Sequence, residues 1–439
     1  VTGNTDVGGI VGYSGDELDN VGDSGSDITG IDTNSHFTNL VNTGIVHSKG
    51  ESDGNGGIVS NAGGLIGYMY NGKLDGNSYN LGDVSGDGYN VGGLVGHAEN
   101  STIGDGTNLV YNRLDVEGAY NVGGIVGNMK GTTVQNAENS GNVTATGYTT
   151  GEYTYHTGET NLYNIPNAKL NDDGTATTSV NIANVGGIAG KADDTVKTDG
   201  TIDKKSEIKN VTNSGNVSSS KQAGNDYYDA GNVGGIVGSA VDTNITNATN
   251  RENEVRGAHN VGGVAGYFGG SATITGGIND GGDIMATGAR NTNKFVKETV
   301  RPVGDANESF IIGNIGGVVG YLEGDNVYVT GSANRGTVHT DEPADPADVN
   351  EWQKAANVGG VVGKIDRNKQ NTLNEIKNGN ETAAVTNSYN TGDVLGYTGV
   401  GGVIGMMYNG AVSGSYNLGT VNTTPRLPDN PCMISIPIT

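Results

Sequence analysis

Apolar positions in this chain come as short pairs framed by glycine, and no stretch carries the spacing of an amphipathic helix. The frame is Gly-Gly-x-x-Gly, found ten times, with first glycines at Gly8, Gly63, Gly92, Gly123, Gly186, Gly234, Gly262, Gly316, Gly359 and Gly401. Its two inner positions are always apolar, from Ile10 and Val11 to Val403 and Ile404, and seven copies are preceded by Asn and then Val or Ile. A second motif, Asn-x-Gly-x-Val, lies between most successive cores, as in NTGIV (42–46), NLGDV (80–84), NSGNV (139–143 and 213–217) and NTGDV (390–394). Runs of four to seven residues with period-two character, separated by Gly or Asn, predict short strands joined by tight turns.

The cores are 55, 29, 31, 63, 48, 28, 54, 43 and 42 residues apart, which gives a minimal unit of 28 to 31 residues and longer units carrying insertions. We read each unit as one coil of an all-β fold, a β-solenoid resembling a right-handed parallel β-helix. A Val or Ile recurring at one place in every coil would stack at ~4.8 Å into an interior ladder, and ten coils would make a stack roughly 50 Å long. Asn at corners would bond nearby backbone or take left-handed dihedrals, and Gly would fill the remaining tight positions. A β-propeller blade needs more chain than the shortest units supply.

Composition supports a narrow interior, because 78 residues are Gly and only 11 are Phe, Trp or Met. The net charge of −24 argues against a nucleic-acid partner, whose phosphates would have to be met by Lys and Arg. No apolar run is long enough to span a membrane, so no membrane insertion is expected. The single cysteine, Cys432, rules out an intrachain disulfide and has no basic neighbour in sequence to activate it. The chain opens inside repeat-like sequence, and we read it as a segment of something longer.

Segments such as NVGGLVGHAENSTI (90–103) and NVGGIVGNMKGTTVQNAENSGNV (121–143) resemble the GLUG repeat of large bacterial surface and secreted proteins. Similar repeats occur in the non-catalytic N-terminal region of immunoglobulin A proteases. The resemblance runs from residue 1 to about 421 and implies a structural repeat region, 1–424, in an extracellular, cell-surface or secreted setting. Residues 425–439, rich in Pro, would be a cap or a linker to a following domain.

Individuality then falls to the insertions. The largest, about 144–182, gathers Tyr148, Tyr153, Tyr155 and His156, and another carries Trp352, the only tryptophan. These five are the candidate binding residues, for a host or bacterial surface protein or glycan. The plainer reading is that they pack a loop or cover a flank of the stack. The six His form no His-Glu-x-x-His zinc signature, and no cofactor is expected. Asp-rich sequence at 12–27 has the oxygens for calcium but not the 12-residue loop pattern. The expected function is a non-catalytic adhesin stalk or display scaffold. The alternatives are an accessory substrate-holding domain of a secreted metalloprotease and a polysaccharide-active enzyme using carboxylates from neighbouring coils.

Overall fold

The structure, a computed structural model, describes residues 1–15, 35–52, 58–146, 183–196, 201–219, 231–257, 259–286, 289–291, 309–311, 313–340, 355–367, 384–396 and 398–423. Among these residues there is no helix, and so none long and apolar enough to cross a membrane. Strands form three long parallel sheets, of 11, 10 and 25 strands, and three antiparallel pairs that lie outside them.

One coil shows the plan. Asn61–Gly63 lies in the ten-stranded sheet, and Ile66–Tyr70, Lys73–Asp75 and Tyr79–Asn80 lie in the widest. Val84–Gly86 lies in the third sheet, and the next coil begins at Asn90–Gly92. Each strand pairs in parallel with its equivalent one coil on: Asn61 with Asn90, Ile66 with Val95 and Val84 with Val116. The expected coil and the expected ladders are therefore present.

Two apolar columns fill the interior. One contains the inner pairs of the cores, Leu65 and Ile66, Leu94 and Val95 and their successors, with Met69, Leu74 and Phe268. The other alternates the Val of the second motif with the residue before each core, as in Val84, Val91, Val116 and Val122. Nearly all are small or β-branched because the coil is narrow, and a fully buried Val still contributes about 1.5 kcal/mol or more.

The core glycines are required for close approach, not for left-handed dihedrals. A Cβ on Gly63 would land on the carbonyl of Ile66, one on Gly64 would press into Asn80, and one on Gly67 would meet the Val7 nitrogen at 2.6 Å. None of the three has a positive φ. That conformation falls instead on other asparagines, between strands at Asn71, Asn100 and Asn409 and inside the longer strands at Asn136 and Asn247, where Asn tolerates it better than other side chains with a Cβ.

The motif asparagines do something else. Asn80, fully buried, donates to its own Gly82 carbonyl at 2.6 Å and to Asn112 Oδ1 of the next coil at 2.9 Å, and its Oδ1 accepts from Gly82 N at 3.2 Å. The inter-coil bond repeats from Asn42 through Asn80, Asn112, Asn139, Asn213, Asn250, Asn279, Asn334 and Asn390 to Asn417, always pointing towards the last coil. The Asn before the core forms a second ladder that points the other way. Asn357 donates to Asn314, Asn314 to Asn260, and the series descends through Asn232, Asn184, Asn121, Asn90 and Asn61 to Asp6. Asp6 has only acceptors, so it ends the series without a stranded donor.

Candidate functional surface

Extra chain enters the coil at few places. The corner that leads into the ten-stranded sheet takes most of it: between Ser48 and Asn61, Ala145 and Asn184, Ser219 and Asn232, Ala286 and Gly313, and Thr340 and Ala355. A second corner, after the core strand, takes the segments between Ser14 and His36, Asp193 and Glu207, and Asp366 and Val385. The strands on either side stay in register, Val143 pairing with Val116 before and Val217 after. Hence the coil tolerates insertion at a corner, where no ladder is interrupted.

Tyr148, Tyr153, Tyr155, His156 and Trp352 lie outside the described residues, as does Cys432. What the structure places is the chain on either side of them. Thr146 N donates to Gly118 O at 2.7 Å, and the carbonyl of Ala183 accepts from Asn232 N at 2.9 Å, which pins both ends of the Tyr-rich insertion to the first corner. The Trp352 segment leaves after Thr340 at the same corner. The strands before the two insertions are fifth and ninth in the 11-stranded sheet, four rises or ~19 Å apart along one edge.

On the outer face of the core strands, side chains of successive coils also form columns. Tyr13 stacks on Tyr68 with centroids 5.1 Å apart, and Tyr68 stacks on His97 at 4.9 Å. Further along, Tyr267 meets Tyr321 edge-on, and Lys364 Nζ lies 4.8 Å from the Tyr321 ring and 5.5 Å from that of Tyr408. Tyr267 donates to Glu323 at 2.7 Å and Tyr321 to Asp366 at 3.3 Å. Burial first, and then neighbouring carboxylates such as Glu99 for Tyr68 and Glu323 for Tyr321, raise both phenols well above their ordinary pKa. The His97 ring, with Nε2 3.8 Å from the carboxylate, holds Glu99 below the usual carboxylate range. Stacked rings spend their faces on one another and show edges to solvent, so this column is poorly suited to stacking a sugar ring.

Two tyrosine pairs stand on a neighbouring column. Tyr79 and Tyr111 stack at 4.7 Å with Arg113 over the Tyr111 ring, and Arg113 pairs with Glu138 at 2.7 Å. Tyr389 and Tyr416 stack at 5.3 Å, and Arg335 bridges Tyr389 and Asp280.

Four carboxylates on these strands have a cation two residues away on the same face: Lys73 with Asp75, Lys191 with Asp193, Lys209 with Glu207 and Lys364 with Asp366. Asp194 differs. Burial pushes its carboxyl up to about 6, against the hydrogen bond from Ser206 N, and Asp242 of the next coil adds to the rise. Asp105 moves the other way, to about 2, because Asn108 and Thr107 donate to it. Among the described residues no three His, Cys, Asp or Glu side chains are grouped to hold a metal ion.

Comparison with family models, curated proteins and solved structures finds no match to this chain. Sequence reading missed both asparagine ladders and the sharing of one corner by most insertions. The signal for the second was present: the Tyr-rich segment falls after a second-motif Val and before a core Asn, and four others fall after a second-motif Val or Ile and before a core Asn.

Proposed function

We propose that this chain is a non-catalytic stalk and display segment of a bacterial surface or secreted protein, built from GLUG-type repeats wound as a right-handed solenoid. The observation that carries the reading is the shared corner. Five insertions of different length and sequence leave the stack along one edge while the neighbouring strands keep their parallel pairing, with a single one-residue register shift between Gly313 and Ile315. A scaffold whose interior ladders are uniform and whose edge is variable holds different loops in a fixed row, as repeat proteins do with their binding faces. The motif resemblance supports the GLUG assignment and the extracellular setting, and consecutive parallel strands joined by one full turn favour the right hand. A host or bacterial surface protein or glycan is the partner class, met by the loops that carry Tyr148, Tyr153, Tyr155, His156 and Trp352.

The test trims the edge and keeps the stack. Residues 146–183 and 341–356 are each replaced by the three-residue corner 87–89, and labelled protein is applied to cells and to a glycan array. Unchanged circular dichroism with loss of binding is the expected result. Retained binding by the trimmed protein, or turnover of a glycan by the intact one, would overturn the proposal.

A further inference from the structure

Coil order and bond direction together bear on how the stack responds to load. The 11- and 10-stranded sheets run through their strands in chain order, so a pull transmitted along the chain enters at one end of the stack and leaves at the other. The strands lie across that axis and the bonds between coils lie along it. Tension therefore opens the rows of one coil at a time, and no strand is dragged lengthwise past its neighbour.

Each coil is fastened to the next by its strand rows and by a buried amide of the first ladder. Asn334 is typical: fully buried, it donates to Gly336 O at 2.8 Å and to Asn390 Oδ1 at 2.6 Å, and it accepts from Asn279 at 2.7 Å. Opening a coil breaks the bond to Asn279 or to Asn390 and leaves only the bonds to Gly336 within the coil, so part of the buried amide loses its partners at that moment.

We propose that the solenoid is an extensible element that lengthens coil by coil under tension, with the asparagine ladder as the clasp of each coil. An opened coil exchanges a rise of ~4.8 Å for the contour of all its residues. At ~3.4 Å per residue, a coil of 28 residues yields about 95 Å and one of 63 about 210 Å. An insertion lengthens the step of the coil that carries it, and the one between Asp193 and Glu207 also ties coils two apart, through Lys204 to the Asn100 carbonyl and Lys205 to the Ser271 carbonyl, so its neighbourhood should open at higher force. The use of this compliance, letting a tethered surface yield without detaching, rests on the stalk reading; the mechanics does not.

Single-molecule force spectroscopy on the whole chain, held at its two ends, tests the inference. The expected record is a series of separate steps, each the contour of one coil. A single rupture releasing all coils together would overturn it. Asn334→Ala should lower the opening force of the two coils that meet at this residue and leave the other steps unchanged. Asn417→Ala, at the open end of the ladder where only Asn390 depends on it, is the variant least exposed to a folding failure, and it should weaken one short step. A fall shared equally by all steps, or no fall in either variant, would overturn the role of the clasp. Loop trimming that abolishes cell binding keeps the number of steps and shortens only those of the trimmed coils, so the two proposals fail on different measurements.

Discussion

Removing a single ladder amide should cost far more than its size suggests. Asn112 is fully buried, donates to Leu114 O at 2.6 Å and to Asn139 Oδ1 at 2.9 Å, and accepts from Asn80 at 2.9 Å. Asn112→Ala deletes all three bonds. At about 1 kcal/mol net for each, with a further penalty for oxygens left buried and unpaired, the loss comes to about 3–4 kcal/mol. Solenoid coils communicate mainly with their neighbours, so the loss should be local. Native-state hydrogen exchange reads it directly. Protection should fall in Tyr79–Asn80, Val110–Asn112 and Thr133–Asn139, and stay unchanged in Val338–Thr340. Thr102→Ala, on the outward face, is the control and should stay within about 0.5 kcal/mol of the parent. A cost for Asn112→Ala below about 1 kcal/mol, or a loss spread evenly over every coil, would refute the ladder as the source of coil-to-coil stability.

Other outcomes follow from the same geometry. Gly93→Ala would drive a Cβ into Asn112 and should prevent stable folding, whereas Gly331→Ala, with φ +57 and nothing within 4 Å, should cost only the left-handed penalty of about 1–2 kcal/mol; thermal melts separate the two. Asp194 has a folded pKa above its unfolded one, so its contribution is present below about pH 4 and lost as pH rises through 6. Asp194→Asn should therefore stabilise the protein by about 1 kcal/mol at pH 8, after discounting for solvent screening, and leave it unchanged at pH 3; denaturant titrations at both values check this. In a spectrophotometric titration, Tyr68→Phe and Tyr321→Phe should remove none of the tyrosine absorbance change near pH 10, because burial holds both phenols protonated beyond that range.

The coil was legible in the sequence because its demands are local and repeated. An apolar pair inside three glycines states both a buried ladder and a crowded backbone, and Val84 and Val116 announce their stacking by recurring. The asparagine ladders were not legible in the same way. Asn139 bonds Asn213 across 74 positions and Asn112 bonds Asn139 across 27, and no fixed separation joins them until the strands around them are set in register. Both kinds of asparagine looked like turn residues; only the backbone separates Asn136, with φ 49, from Asn139, three residues on in the same strand. The candidate binding residues are a different case. Tyr148 and Trp352 belong to segments that no repeat constrains, so sequence pattern told where they depart from the coil and nothing of how they fold.

The opposed direction of the two ladders bears on how such a chain can grow. A lone column of aligned amides would add its dipoles head to tail, as a helix does, leaving opposite partial charges at its ends and a total moment that grows with every coil. With one column of N–H bonds aimed at the last coil and its twin aimed at the first, every added coil brings two moments that cancel. The net moment of the two columns then stays small whatever the number of coils. A gene that duplicates or drops a unit changes the length of the stack without building up a dipole along it.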